Sequence, residues 1–186
     1  MAPKSLIFAV SAAVMVGGFL ATPASAETKY NFSARAWTLE KKFHKQEVSY
    51  RTREPAGTIV INTRRRYLYF VLGNGRAIRY GIGVGRAGFK WSGQERISRK
   101  AEWPAWRPPA EMRAREPDLP EYMPGGEDNP LGARALYLGN TLYRIHGTAQ
   151  PWTIGTSVSS GCIRLTNENV IDLYNRTKVG AKVIVE

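Results

Sequence analysis

The only cysteine of this 186-residue chain, Cys162, stands in the segment Ser-Ser-Gly-Cys-Ile-Arg at residues 159–164. A His-Gly pair, His146 and Gly147, lies 16 positions upstream. A single thiol cannot form an intramolecular disulfide, so Cys162 is either an ordinary buried residue or a reactive one. A thiol whose proton a nearby imidazole can take is the minimum machinery for acyl transfer through a thioester. The cysteine and histidine together therefore predict acyl transfer, with simple burial of the thiol as the alternative.

The first 26 residues have the pattern of a secretory signal. Lys4 supplies a basic start, residues 5–20 form an uncharged apolar run, and residues 24–26 read Ala-Ser-Ala, a small-residue cleavage motif. We expect residues 1–26 to be removed, leaving a protein exported to the periplasm or cell envelope without a stable membrane span. The apolar run is short for a span, and its retention as an anchor is the alternative. In an oxidising compartment an unpaired thiol is either protected by burial or kept for its chemistry.

The charge of the chain indicates an anionic partner. The net charge is +12, and loss of the signal, whose one charged residue is Lys4, leaves +11. A carboxylate-rich polymer or phospholipid head groups would fit this charge. Nucleic acid is not expected, because the protein is exported and no nucleic-acid-binding motif is present. A well-solvated basic surface is the alternative interpretation.

Regular structure is predicted from Gly57 onward. Runs of β-branched and aromatic residues bounded by glycine predict strands at residues 58–62, 67–72, 77–84, 133–138, 141–145 and 182–185. Thr166 is a candidate N-cap for one helix at residues 167–178, shortly after the cysteine. We therefore expect residues 55–186 to form one mainly β domain.

Two segments lack this regularity. Residues 27–54 are polar and basic, and we interpret them as a leader or linker with one short helix around residues 37–45 and with His44 exposed to solvent. Residues 88–132 hold three tryptophans and seven prolines. Proline interrupts sheet ladders, so this long loop insertion is not expected to contain central strands. It is either a lid over a binding groove or a rigid decoration of the sheet.

Residues 143–148 (Tyr-Arg-Ile-His-Gly-Thr) and 159–165 (Ser-Ser-Gly-Cys-Ile-Arg-Leu) resemble the catalytic signature of the YkuD-type L,D-transpeptidases. The match is to the branch of the family that reads Gly-Cys-Ile-Arg. The resemblance extends to the preceding segments 125–126 (Gly-Gly), 129–132 (Asn-Pro-Leu-Gly) and 135–138 (Ala-Leu-Tyr-Leu). It covers residues 58–185 in all. Some members have a second histidine where this chain has Ser160, so His146 is the only nearby candidate base.

The resemblance implies a fold and a substrate. The expected fold is a β-sandwich or open barrel of mixed and antiparallel strands, with the cysteine and histidine facing a groove. The expected substrates are the peptide stems of peptidoglycan, whose free carboxylates suit the basic charge of the chain. Sensitivity to carbapenems is a further implication.

The chemistry requires a nucleophile, a base, a group that orients the base and donors for the oxyanion. Cys162 would be the nucleophile and His146 the base that takes its proton. By resemblance to the family, the backbone carbonyl of Gly147 orients the imidazole. The backbone N–H groups of Gly161 and Cys162 are candidate oxyanion donors, because a glycine there leaves no side chain in the way.

Four further residues are candidates for substrate binding. Arg164 would bind a stem carboxylate in bidentate fashion, or it would form a structural ion pair beneath the site. Ser159 and Ser160 would donate hydrogen bonds to the substrate or shape the turn. Thr148, directly after the His-Gly pair, is included as a fourth substrate-binding residue.

Other chemistries lack support in the sequence. No Gly-x-Ser-x-Gly elbow is present for a serine hydrolase, and two histidines with one cysteine give no zinc-ligand spacing. No glycine-rich phosphate loop follows a predicted strand and opens a helix. We therefore expect neither a metal nor a cofactor.

The acyl acceptor determines the activity. Transfer to the side-chain amine of a second stem gives a 3→3 crosslink, transfer to an amine of an envelope protein tethers that protein, and transfer to water makes the enzyme an L,D-carboxypeptidase. A noncatalytic peptidoglycan-binding module is the rival from another class. The combination of Cys162, His146 and Gly161 favours the enzyme.

Overall fold

The computed structural model describes residues 37–88 and 91–186. The strands are β1 Gln46–Ser49, β2 Ile59–Asn62, β3 Tyr67–Gly73, β4 Arg76–Gly81, β5 Val84–Gly85, β6 Gly93–Glu102, β7 Arg134–Leu138, β8 Arg144–His146, β9 Ser157–Ser159, β10 Ile163–Arg164 and β11 Lys182–Val185. The helices are α1 Ala110–Arg115 and α2 Asn167–Arg176, with 3₁₀ turns at Lys41–Phe43 and Pro151–Thr153. The predicted class, mainly β with a helix after the cysteine, is confirmed.

A large mixed sheet organises the described residues. Nine of their strands follow the order β1-β4-β3-β2-β11-β6-β7-β8-β10, and β5 pairs with β9 separately. Strand β6 connects the two halves of the large sheet, because residues 93–96 pair with β11 and residues 97–102 pair with β7. The register shifts between Ile97 and Arg99, where the ladder changes partner. Such an irregularity bends a strand, so the second half of the sheet can turn away from the first.

Both halves of the sheet cover one hydrophobic core. The fully buried side chains Ile61 and Leu68 from the first half belong to the same cluster as Leu136, Ile145 and Ile163 from the second. Burial of apolar area at about 25 cal/mol per Å² is the main term that stabilises such a fold. The core therefore fixes the inward-facing positions of β8 and β10, and their outward-facing positions follow from it.

Helix α2 begins as the sequence predicts. The Thr166 side chain accepts a hydrogen bond from the backbone N–H of Asn169 over 3.3 Å, as an N-cap residue does. Val170 and Leu173 bury the apolar face of the helix in the core. The helix ends at Arg176 rather than at residue 178, and the backbone continues in an extended conformation at Thr177.

The expectation for residues 88–132 is wrong in part. Strand β6 lies inside this segment and occupies the middle of the large sheet. Its ten residues contain no proline, and Ile97 is the only one of the ten that is buried. A strand with so little apolar alternation leaves no period-two signal in the sequence. The segment after β6 is irregular apart from α1, and reciprocal 2.8 Å hydrogen bonds between Trp106 and Met123 tie it together.

The segment interpreted as a leader also differs from expectation. Residues 46–49 of the 27–54 segment form β1, which pairs antiparallel with β4 at the edge of the sheet. The helix expected around residues 37–45 is reduced to the 3₁₀ turn Lys41–Phe43, whose Phe43 is buried. A buried aromatic ring and a paired edge strand attach this part of the segment to the domain. Residues 1–36, which include the expected signal, lie outside the described residues.

Candidate active site

Two short parallel strands bring the histidine and the cysteine together. In the pairing of β8 with β10, Ile145 lies opposite Ile163 and His146 lies opposite Arg164. Successive side chains of a strand point to opposite faces. Because Ile145 and Ile163 are both buried in the core, their neighbours along the two strands face the other way.

Four side chains share this opposite face: Arg144 and His146 from β8, Arg164 from β10, and Cys162, one residue before β10. We refer to these four residues as the catalytic face. The pKa shifts agree with this placement, because the charges of Arg144 and Arg164 affect the pKa of both His146 and Cys162. The ladder thus gathers a thiol, an imidazole and two guanidinium groups at one place.

The imidazole of His146 is held in one orientation. The ring is buried, at 3% exposure, and Nδ1 lies 2.6 Å from the carbonyl oxygen of Gly147, the contact that the resemblance implies. A carbonyl oxygen can only accept, so Nδ1 carries the proton and Nε2 of the neutral ring keeps its lone pair. That tautomer leaves Nε2 able to accept a proton.

Burial keeps this imidazole neutral. It lowers the pKa of His146 to about 3, and the positive charges of Arg164 and Arg144 act in the same direction. Contacts with the carbonyl oxygens of Gly147 and Leu131 oppose the shift. At neutral pH the ring is therefore an uncharged base.

The thiol is also neutral in this conformation. Cys162 is half-buried, and its Sγ lies 3.8 Å from the carbonyl oxygen of Leu142, to which it donates. Burial raises the pKa of the Cys162 thiol above its usual value, while Arg144 and Arg164 oppose that rise. At rest, both the thiol and the imidazole are therefore uncharged.

The turn before the nucleophile has its own hydrogen bonds. Ser159 is buried, its hydroxyl donates to the carbonyl oxygen of Cys162 over 2.6 Å, and it accepts from the N–H of Gly161 over 3.2 Å. The expected role of the Gly161 N–H as an oxyanion donor does not fit this arrangement, because that donor is already paired. Gly161 is required for another reason: its φ of +104° lies in the region that favours glycine. Ser159 shapes the turn, and Ser160 lies half-buried beside it.

The two arginines have no carboxylate partner within the described part of the chain. Arg164 is half-buried and donates from Nη1 to Gln150 Oε1 over 3.4 Å, so the structural ion pair considered above does not occur there. The Nε atoms of Arg144 and Arg164 are buried and have no hydrogen-bond partner among the described residues. Both guanidinium groups are half-buried, and an anionic ligand on the catalytic face would balance their charge.

Thr148 lies apart from these groups. It is buried, and its hydroxyl accepts from the N–H of Gln150 over 2.9 Å, which closes the backbone after the His-Gly pair. It also lines a cavity of about 730 Å³ at the start of α2, together with Trp37 and Trp103. Neither Cys162 nor the other members of the catalytic face line that cavity. The substrate-binding role expected for Thr148 is not favoured by this position.

Three residues near the site were not identified from the sequence. Arg144 had a signal, since two positions before His146 on a strand means the same face. Asn167 accepts from the N–H groups of Ala133 and Thr148 through Oδ1, over 3.0 and 3.2 Å. Trp91 donates from Nε1 to the carbonyl oxygen of Gly161 over 3.0 Å. The contacts of Asn167 and Trp91 join distant segments and leave no local pattern.

Residues 83–88 read Gly-Val-Gly-Arg-Ala-Gly, which has the spacing of a dinucleotide-binding loop. The structure places Val84 and Gly85 in β5, paired with β9. The next described element is strand β6 rather than a helix. Because that motif binds phosphates at a helix N-terminus, these glycines do not form such a site.

Within residues 37–88 and 91–186, no group of three or more His, Cys, Asp and Glu side chains is placed to hold a metal ion. The same residues contain no helix that is long and apolar enough to cross a membrane.

Comparison with known proteins identifies the family. The family model of the L,D-transpeptidase catalytic domain, YkuD, matches residues 56–185 of this chain. The Probable L,D-transpeptidase YbiS of Escherichia coli K12 is 38% identical over 135 residues, which cover 68% of this chain and 43% of YbiS. The chain therefore belongs to the L,D-transpeptidase catalytic domain family. It spans less than half the length of YbiS and of ErfK/SrfK, so this assignment covers the domain rather than the activity of a whole protein.

Solved structures agree with this fold. A structure from Brucella melitensis, described as a probable carnitine operon oxidoreductase, is 46% identical with a TM-score of 0.54 and covers 85% of this chain and 100% of its own. L,D-transpeptidase 3 of Mycobacterium tuberculosis, in complex with a faropenem-derived adduct, has a TM-score of 0.53 at 16% identity, over 71% of this chain and 60% of its own. At that identity the second likeness shows the fold alone.

Asn167 provides a test of how the backbone at the site is supported. Asn167→Ala should lower the free energy of unfolding by about 1–3 kcal/mol, because the buried N–H groups of Ala133 and Thr148 lose their acceptor. Asn167→Asp keeps an acceptor oxygen and should lose clearly less. Urea denaturation of the two variants measures this difference. Equal losses in the two variants would show that the oxygen does not support the backbone at Ala133 and Thr148.

Proposed function

We propose that this chain is an exported L,D-transpeptidase that acts on the peptide stems of peptidoglycan through a thioester on Cys162. It releases D-alanine from the donor stem and forms a 3→3 crosslink with a second stem. The observation that carries the proposal is the catalytic face, where the thiol and the oriented imidazole of His146 lie beside two cations without carboxylate partners. Membership of the family supports the reaction class.

Acylation begins with the neutral pair. Sγ of Cys162 turns from the Leu142 carbonyl and attacks the carbonyl carbon of the diaminopimelate residue, while its proton passes to Nε2 of His146. The carbonyl π electrons move to the oxygen, and the backbone N–H of Cys162 donates to this oxyanion. As the oxyanion collapses, the C–N bond breaks, and His146 returns the proton to the nitrogen of the departing D-alanine.

The thioester is then transferred. The side-chain amine of a second stem attacks the thioester carbon, its proton passes through His146, and the C–S bond breaks to restore the thiol. An amine of an envelope protein and water are the alternative acceptors, which would give a tethered protein or an L,D-carboxypeptidase. Formation of the acyl-enzyme is common to all three activities, so analysis of the final products distinguishes them.

Arg144 and Arg164 bind a free carboxylate of the stem. Their charges lower the pKa values of both His146 and Cys162, so a bound carboxylate that neutralises them makes the imidazole a stronger base and the thiol a weaker acid. A substrate without that carboxylate would lose binding.

Export agrees with this substrate. The signal expected at residues 1–26 would deliver the protein to the periplasm or cell envelope, where peptidoglycan is assembled, and the net charge of +11 that remains without the signal suits a carboxylate-bearing polymer. No nucleic acid, metal or cofactor enters the reaction.

Muropeptide analysis tests the function directly. Incubation with tetrapeptide stems should release D-alanine and give 3→3 crosslinked dimers with the wild type and no product with Cys162→Ala, because the chain has no other thiol. His146→Gln should slow turnover by about 10²–10⁴-fold, the usual contribution of a general base. Mass spectrometry of the products identifies the acceptor.

Three outcomes would change the assignment. Trimmed monomers without dimers would indicate the carboxypeptidase, and stems attached to protein would indicate tethering. Binding to wall sacculi without any product, unchanged by alkylation of Cys162, would indicate the noncatalytic module and contradict the proposal.

Carbapenem acylation is the second test. A carbapenem should add its mass to the peptide that carries Cys162, because a strained lactam carbonyl accepts the same attack as the stem carbonyl. The faropenem-derived adduct of the Mycobacterium tuberculosis structure supports this expectation. Peptide mapping after incubation locates the adduct, and an adduct confined to another residue in turnover-competent protein would contradict the mechanism.

A further inference from the structure

Trp91 holds the turn of the nucleophile from a distant part of the chain. Its indole Nε1–H donates to the carbonyl oxygen of Gly161 over 3.0 Å. Its ring stacks on Tyr143, with ring centroids 4.6 Å apart and planes inclined by 8°. Both rings are half-buried and pack against the hydrophobic core. The ring stack on Tyr143 and the hydrogen bond to Gly161 together fix the orientation of the indole.

The contact acts on a peptide unit that matters for catalysis. The carbonyl of Gly161 and the N–H of Cys162 belong to one planar trans peptide, so they point in opposite directions. Fixing the direction of the Gly161 oxygen therefore fixes the direction of the Cys162 N–H. Glycine permits wide backbone rotation, and Gly161, at φ +104°, does not hold the plane by its own sterics.

The other polar groups of the turn are already paired. Ser159 accepts from the N–H of Gly161 and donates to the carbonyl oxygen of Cys162. Trp91 donates to the carbonyl oxygen of Gly161, so the N–H of Cys162 is the remaining polar group of the turn. Among the described residues this N–H has no acceptor. It belongs to the same residue as the attacking sulfur, where the oxygen of a tetrahedral intermediate develops its charge.

We infer that Trp91 is a positioning residue for the oxyanion donor: its indole N–H orients the Gly161–Cys162 peptide so that the Cys162 N–H faces the developing oxyanion. This inference rests on the thioester chemistry proposed above. A residue that merely braces the fold would affect stability and every reaction of the thiol alike. A residue that positions the donor affects those reactions that form an oxyanion.

Two reactions of Cys162 separate these roles. In acylation by imipenem the S–C bond forms as the thiol proton passes to His146 and the carbonyl π electrons move to oxygen. The oxyanion then expels the lactam nitrogen, which takes that proton from His146. In alkylation by iodoacetamide the S–C bond forms as iodide leaves with the bonding electrons, and the proton of the thiol passes to solvent. Charge develops on a carbonyl oxygen in the first reaction and not in the second.

The test compares both rates in the full chain for the wild type and Trp91→Phe, with Trp103→Phe as the matched control. Phenylalanine keeps an aromatic ring for the stack on Tyr143 but has no N–H. Trp103 is 43% exposed and lines the cavity that Cys162 does not line. Each rate is followed by intact-mass spectrometry at one pH. Both rates are compared in preparations whose far-UV circular dichroism and thermal midpoint match those of the wild type, because iodoacetamide also alkylates unfolded protein, which imipenem does not acylate.

Trp91→Phe should slow acylation by imipenem at least tenfold, approaching the loss of about 10² that follows removal of an oxyanion donor. Its alkylation by iodoacetamide should stay within about twofold of wild type, since that reaction forms no oxyanion. Trp103→Phe should leave both rates unchanged. Equal slowing of both reactions in Trp91→Phe, or no slowing of acylation, would overturn the inference. If iodoacetamide alkylates the wild type but imipenem does not acylate it, the thioester function itself would be contradicted.

Discussion

The parallel pairing of β8 with β10 is the constraint on which the site depends. Its register sets Ile145 against Ile163, and both side chains are buried in a core that both halves of the sheet share. A shift of one residue would turn these isoleucines to the outside and the catalytic face into the core. The free energy of apolar burial therefore places the thiol and the imidazole.

The electrostatics of the site follow from the same placement. Burial keeps the imidazole of His146 uncharged and the thiol of Cys162 protonated, so the resting pair carries no charge. The two arginines lower the pKa of both groups, so they favour the thiolate and disfavour the imidazolium. Their two effects on proton transfer from the thiol to the imidazole therefore oppose each other.

Local sequence signals predicted part of this arrangement, and long-range contacts account for the remainder. The positions of β2, β3, β7 and β11 and the start of α2 lie within one residue of the predicted ones, because they depend on neighbouring residues. The contact of His146 with the carbonyl of Gly147 was implied by the resemblance to the family rather than by a local pattern. Strands β1, β6, β9 and β10 were not predicted, and in β6 Ile97 alone is buried. The pairing of the Gly161 N–H with Ser159, and the approach of Trp91 to the same turn, depend on how segments meet in space. No pattern within either segment encodes them.

The charge state of the resting pair is the central claim, and the pH dependence of Cys162 alkylation measures it most directly. Because iodoacetamide reacts with the thiolate, its rate follows the ionisation of the thiol. The account predicts one titration with an apparent pKa above the usual value of 9.0, because burial outweighs the two arginines. It also predicts no step near pH 6.5, where an ordinary imidazole titrates, because burial lowers the pKa of His146 to about 3. A plateau of fast alkylation from about pH 5 upward would show a resting thiolate–imidazolium pair and contradict the account.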